Sequence, residues 1–131
     1  MYSLIVRVSD FLTNLTARAF NKKEMRLEPV LQMMNIHISE NIGLPEMAKC
    51  INVSENQLGR LFNDAYGVSP MTVLKNMRME LAKHLIAWYP SRKIKDIAAT
   101  VGYKDSSYFC SVFKREFKMS PEEYRKKEQG V

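Results

Sequence analysis

Apolar residues recur at every third or fourth position through most of the chain, and no stretch keeps up a period-two alternation. That spacing predicts helices throughout. Leu4, Val8, Phe11, Leu15 and Ala19 form a first stripe, which Asn21-Lys22-Lys23-Glu24 interrupts. A second helix is predicted to begin near Pro29, with Val30, Met34 and Ile38 on one side and Leu31 beside them, and to end at Asn41-Ile42-Gly43. Further helices are predicted over 45–51, 54–66, 70–89, 94–100, 105–117 and 121–128. The longest carries Leu74, Met77, Leu81, Leu85 and Trp88 as its buried stripe.

The punctuation agrees with the periodicity. Pro29, Pro45, Pro70 and Pro121 stand where helices should start, and Gly43, Gly67 and Gly102 where they should stop. Ser54 with Gln57 fits a capping box, in which the hydroxyl accepts an orphan amide and the third residue reaches back. Ser120-Pro121-Glu122-Glu123 combines an N-cap serine, a first-turn proline and two acids suited to a positive helix end.

The chain also repeats itself. Leu44-Pro45-Glu46-Met47-Ala48, Ile51-Asn52-Val53-Ser54, Leu58, Leu61-Phe62, Gly67 and Ser69-Pro70 recur as Ile94-Lys95-Asp96-Ile97-Ala98, Val101-Gly102-Tyr103, Asp105, Phe109, Val112-Phe113 and Ser120-Pro121. The offset is 50 residues at Ala48/Ala98 and 51 from Ser54/Asp105 onward. Each copy reads as a short helix with an inward alanine, a tight turn, a capped second helix and a closing Ser-Pro. This is helix-turn-helix geometry: the small alanine permits close crossing, and Asn52 and Gly102 tolerate the left-handed backbone of a tight turn. The fold class is therefore all-α, two helix-turn-helix subdomains of three-helical, homeodomain-like kind joined by a long linker helix.

Leu58 with Phe62, and Phe109 with Phe113, pin the second helix of each copy, so Asn56, Gly59 and Arg60 point outward in one, and Ser106, Ser107, Tyr108 and Ser111 in the other. In such a motif the start of the second helix enters the major groove and meets base edges. The competing readings are a solvated charge for Arg60, a preference for helix starts for the serines, and edge packing for Tyr108.

The charge strengthens the polyanion reading. The 131 residues carry 20 Lys and Arg against 14 Asp and Glu, a net +6, with 46% hydrophobic and 26% charged residues, as in a folded domain. The excess is uneven: residues 91–131 hold ten basic against six acidic groups, and 1–40 and 41–90 carry only +1 each. Lys104, Lys114 and Arg115 are candidate phosphate partners, with the backbone amides at the helix starts of Pro70 and Pro121.

Other chemistry finds little footing. There is no apolar stretch of bilayer length, and Met1–Arg7 lacks the features of a signal peptide. Cys50 and Cys110 have no CxxC spacing, so neither a disulfide framework nor a zinc site is supported, and a reducing cytosol is expected. His37 and His84 show no cysteine or acidic partner at ligand spacing, so no metal is expected. Cys110 reads as a small filler, with a redox or alkylation sensor as the alternative, and the nine methionines as core filling. No nucleophile elbow, phosphate-binding glycine loop or metal signature points to an enzyme, and no cofactor is implied. The rival from another class is a protein-interaction module, an antagonist that has lost DNA contacts, whose outward set should be acidic or apolar.

Residues 28–127 resemble the DNA-binding domain of the AraC/XylS family of bacterial transcription regulators. The resemblance rests on Ile97-Ala98, Val101-Gly102-Tyr103, Asp105, Ser107-Tyr108-Phe109, Val112-Phe113-Lys114-Arg115, Phe117, Ser120-Pro121 and Tyr124-Arg125. Looser matches are Met47-Ala48, Val53-Ser54, Leu58, Arg60-Leu61-Phe62, Gly67 and Ser69-Pro70, and in the linker Arg78, Ala82 and Leu85-Ile86. The chain departs from the family at Lys118, where glycine is usual, and at Gly59, where a larger and often base-contacting residue is usual. The resemblance implies a sequence-specific double-stranded DNA-binding transcription regulator, commonly an activator, with two recognition helices in successive major grooves about 34 Å apart. It admits RNA polymerase as a partner and implies a cytoplasmic, nucleoid-associated protein. The implied layout is 25–131 for the DNA-binding domain, with units 25–69 and 90–131 around a linker helix 70–89. Residues 1–24 are left with three readings: a dimerisation helix for a homodimer, the remnant of a sensor domain, or a helix packed on the reader.

Overall fold

The computed structural model describes residues 22–130, and these form seven helices with no strand among them. In chain order they are α1 (Lys22–Ile36), α2 (Leu44–Cys50), α3 (Glu55–Tyr66), α4 (Pro70–Trp88), α5 (Ile94–Thr100), α6 (Ser106–Phe117) and α7 (Pro121–Glu128). They divide into two compact units with the boundary inside α4, between Met77 and Arg78. The stripe expected over Leu4–Ala19 lies outside the described residues.

In the first unit α1, α2 and α3 pack on one another. α1 starts earlier than the expected position near Pro29, and Lys22 to Glu24 are helical rather than a break. The reason is Leu27, fully buried one turn ahead of Val30 and Leu31, which extends the apolar stripe toward the N-terminus. Pro29 consequently sits inside α1 on its exposed side, where its absent N–H costs a helical bond but no packing. The stripe closes at Met34, and Ile38 lies past the helix end and only half-buried.

The two turns show the same local construction. Asn52 has φ 56° and Gly102 φ 102°, so both adopt the positive-φ backbone expected of them. Val53 N–H donates to the Ala48 carbonyl at 3.0 Å, and Tyr103 N–H donates to the Ala98 carbonyl at 2.8 Å. Met47 and Ala48, like Ile97 and Ala98, are buried, as close helix crossing requires.

In the second unit α5 packs on α6 and α6 on α7. An aromatic chain forms the core: Tyr103 lies 5.6 Å from Phe109, Phe109 5.9 Å from Phe113, and Phe113 4.6 Å from Phe117 and 5.9 Å from Tyr124, centroid to centroid. Phe109 and Phe113 are fully buried, each contributing about 1.5–3 kcal/mol by removal from water. The Lys83 ammonium caps the Phe117 ring at 4.7 Å. Arg125 Nη2 donates to the Tyr89 carbonyl at 3.3 Å, tying α7 to the residue after α4.

α4 is buried more widely than the expected stripe. Val73, Leu74 and Met77 are buried before the boundary, and Met79, Leu81, Ala82, Leu85 and Ile86 after it. Trp88 departs from expectation: it is half-buried, its indole stacked at 5.1 Å on His84.

Candidate nucleic-acid interface

The second helix of each repeat is fixed by its start, its buried side and its end. Ser54 caps α3, its hydroxyl accepting from Gln57 N–H at 3.1 Å. Asp105 caps α6, Oδ1 accepting from Ser107 N–H at 2.9 Å and Tyr108 N–H at 3.2 Å. Leu58 and Phe62 root α3, and Phe109, Val112 and Phe113 root α6. Both helices end on a left-handed residue, Gly67 at φ 74° and Lys118 at φ 66°. The unusual lysine therefore does take the strained backbone that its place in the pattern demands.

The outward faces follow from this rooting. Asn56 and Arg60 are exposed on α3, while Gly59 is half-buried with open space where a Cβ would stand. On α6, Ser107, Ser111 and Tyr108 are exposed, Tyr108 at 56%, whereas Ser106 is half-buried. The Ser111 hydroxyl donates to the Tyr108 carbonyl at 2.7 Å, so only its oxygen lone pairs face outward. Tyr108 is held from behind by Tyr103 at 6.0 Å, and Tyr103 has the Arg78 guanidinium 5.9 Å from its ring. Burial pushes the Tyr103 hydroxyl up from its ordinary pKa and the Arg78 guanidinium down from its own. For each group burial disfavours the charged form, and the attraction between the Arg78 guanidinium and the Tyr103 hydroxyl opposes that effect in both.

Lys104, Lys114 and Arg115 are exposed, Lys104 in the turn before α6 and the other two on its last turns. The helix starts at Pro70 and Pro121 fit a phosphate less well than expected. Ser69 Oγ already accepts from Thr72 N–H at 3.2 Å. Ser120 Oγ accepts from Glu123 N–H at 3.1 Å, while Glu123 Oε1 accepts from Ser120 N–H at 2.8 Å. Those bonds hold the Glu123 carboxyl below its usual pKa, so a fixed negative charge occupies the place of an incoming anion.

One outward residue escapes pattern reading. Gln57 was expected to complete the capping box, yet Ser54 accepts without a reciprocal bond from the Gln57 side chain. Its amide is exposed and free, and the 51-residue offset sets Gln57 against Tyr108, the signal that could have singled it out. The histidines also need correcting, since each has a carboxylate one turn away. His37 Nδ1 lies 2.7 Å from Glu40 Oε2, and His84 Nε2 lies 4.0 Å from Glu80 Oε2. Among the described residues no group of three or more His, Cys, Asp or Glu side chains could hold a metal ion. Burial pushes the Cys110 thiol above its ordinary pKa, with the negative charge of Glu122 adding to the effect, which suppresses the reactive thiolate.

Comparison with known proteins addresses the same geometry. A family model described as a helix-turn-helix domain matches residues 47–127. The crystal structure of a transcriptional regulator from Chromobacterium violaceum, described as AraC-type DNA-binding domain-containing, is similar over 80% of this chain and 93% of that chain, with TM-score 0.74 and 26% identity. The chain belongs to the AraC-type helix-turn-helix family. The C-terminal domain of AraT, a response regulator from Geobacillus stearothermophilus, is similar over 82% of this chain and 88% of that chain, with TM-score 0.76 and 30% identity. The transcriptional activator RhaS of Escherichia coli O139:H28 is 29% identical over 127 residues, 97% of this chain and 44% of RhaS. The AraC-type chain thus spans less than half the length of that relative. No helix among its described residues is long and apolar enough to cross a membrane.

Proposed function

We propose that the chain is the sequence-specific DNA reader of a transcription regulator, an activator in the manner of its named relatives, with α3 and α6 entering successive major grooves. The observation that carries this reading is the paired construction of α3 and α6: each is capped at its start, rooted by buried apolar side chains, and left with small polar, aromatic or cationic groups outward. Such a helix brings donors and acceptors to base edges without paying to unpack its core. Arg60 is suited to a guanine edge through its forked donors, and Asn56 and Gln57 to adenine through their amides. Tyr108, Ser107 and Ser111 serve the second half-site, with Ser106 in a supporting place. Lys104, Lys114 and Arg115 take phosphates, which supply salt-sensitive affinity rather than sequence preference.

The outward set is neither acidic nor apolar, which disfavours an antagonist that meets only protein. In this reading the chain catalyses no reaction, needs no cofactor, acts at the nucleoid in the cytoplasm, and works beside RNA polymerase, with either residues 1–24 or a sensor domain as the route to a homodimer. The test is selection of genomic fragments by the purified chain, followed by gel retardation of the recovered duplex against a mixed-sequence duplex. Preferential retardation of the recovered duplex is expected. Equal retardation of both leaves only general polyanion binding, and none at low salt removes the reading.

A further inference from the structure

We propose that Gly59 is a specificity-determining position that acts by the absence of a side chain, letting the α3 backbone lie directly against the DNA. This rests on the reading of α3 as a major-groove helix. Gly59 sits inside the helix, four residues past its first residue and seven before its last, where glycine costs helix stability relative to alanine. The fold gains nothing in return. Gly59 is not among the positive-φ residues, and a Cβ built there meets no atom within 4 Å. Gly67, which ends the same helix, has a local cause in its φ of 74°. For Gly59 the cause must lie outside the described chain.

The neighbours indicate where. Helical spacing puts Gly59 one turn from Asn56 and one turn from Asn63, beside Arg60, and all three side chains are exposed. Gly59 is therefore a notch in the surface proposed to face base edges. Glycine admits close approach of backbone to a ligand, and a helix seated there at the notch brings its flanking amide and guanidinium groups deeper into the groove. The 51-residue offset sets Gly59 against Cys110, so the notch belongs to the first reader alone, and the two half-sites are read differently.

The experiment compares the full chain with Gly59→Ala and Gly59→Leu. The probes are the duplex recovered by selection with the unmodified chain and a mixed-sequence duplex of equal length. Gly59→Ala should raise the thermal midpoint by a few degrees and weaken binding to the selected duplex roughly ten-fold, with Gly59→Leu weaker still. Binding to the mixed-sequence duplex should stay unchanged. A Gly59→Ala chain that binds the selected duplex as tightly as the unmodified chain, or that melts at a lower temperature, overturns the inference and leaves the DNA reading standing. An unmodified chain that prefers no duplex at all overturns both.

Discussion

Gly67 and Lys118 occupy the same place in the two repeats and pose a controlled comparison. Each ends its recognition helix in the left-handed region, at φ 74°, ψ 8° and φ 66°, ψ 11°. Each makes the same closing bond, Gly67 N–H to the Asn63 carbonyl at 2.9 Å and Lys118 N–H to the Lys114 carbonyl at 2.8 Å. They differ in a Cβ, which the left-handed backbone brings close to the following carbonyl at roughly 1–2 kcal/mol. Replacing Lys118 by glycine removes that strain, against a loss of about 0.4–1 kcal/mol through the freer unfolded chain. A further few tenths go with the exposed cation at the α6 C-terminus. The net gain is about 0.5 kcal/mol, a rise in midpoint of about 2 °C for a domain of this size. Gly67→Ala should move the other way, by about 1 kcal/mol, since it introduces the strain where no Cβ now stands and keeps only a small unfolded-state benefit. Thermal unfolding followed by circular dichroism reads both. A Lys118→Gly chain that melts lower, or a Gly67→Ala chain that melts higher, would refute the assignment of strain to the two helix ends.

Arg60→Ala should weaken binding to the selected duplex by about 1–3 kcal/mol and relax the preference at one base pair, measured by competition among point-substituted duplexes. Equal weakening on every sequence would make Arg60 a phosphate contact instead. Lys114→Ala should lower affinity evenly across sequences and reduce the slope of log affinity against log salt by about 1; an unchanged slope places Lys114 off the backbone. Glu123 is held below its ordinary pKa in the folded chain, so the stability it adds is present above the usual glutamate range and is lost as pH falls through the depressed value. Thermal midpoints across acid pH should accordingly drop less steeply in Glu123→Gln than in the unmodified chain, and parallel curves would dissociate the α7 cap from acid sensitivity.

Much of this architecture is legible in the sequence because it is set locally. The turns at Asn52 and Gly102, the Asp105 and Ser120 caps and the apolar pairs Leu58/Phe62 and Phe109/Phe113 each depend on neighbours within a few residues, which periodicity and cap chemistry capture. What escapes depends on tertiary packing. The start of α1 is decided by the burial of Leu27, which overrides the proline signal at Pro29. Trp88 stands at a helical position of the stripe, yet its indole finds His84 rather than the core. Of the candidate interface, the outward positions follow from the repeat, but whether a side chain is free does not. Gln57 makes no reciprocal cap and Ser111 turns its hydroxyl back on the helix, choices of rotamer that residue spacing does not encode. At the Pro121 helix start the sequence supports both a capping acid and a phosphate site, and the structure decides between them by closing Glu123 onto the Ser120 amide.

The most direct test is hydroxyl-radical and methylation footprinting of the full chain on its selected duplex. Two protected major-groove segments about 34 Å apart on one face of the DNA are predicted, the first altered by Arg60→Ala and the second by Tyr108→Ala. Protection confined to a single segment, or two segments that both respond to the same substitution, would contradict a reader built from two recognition helices.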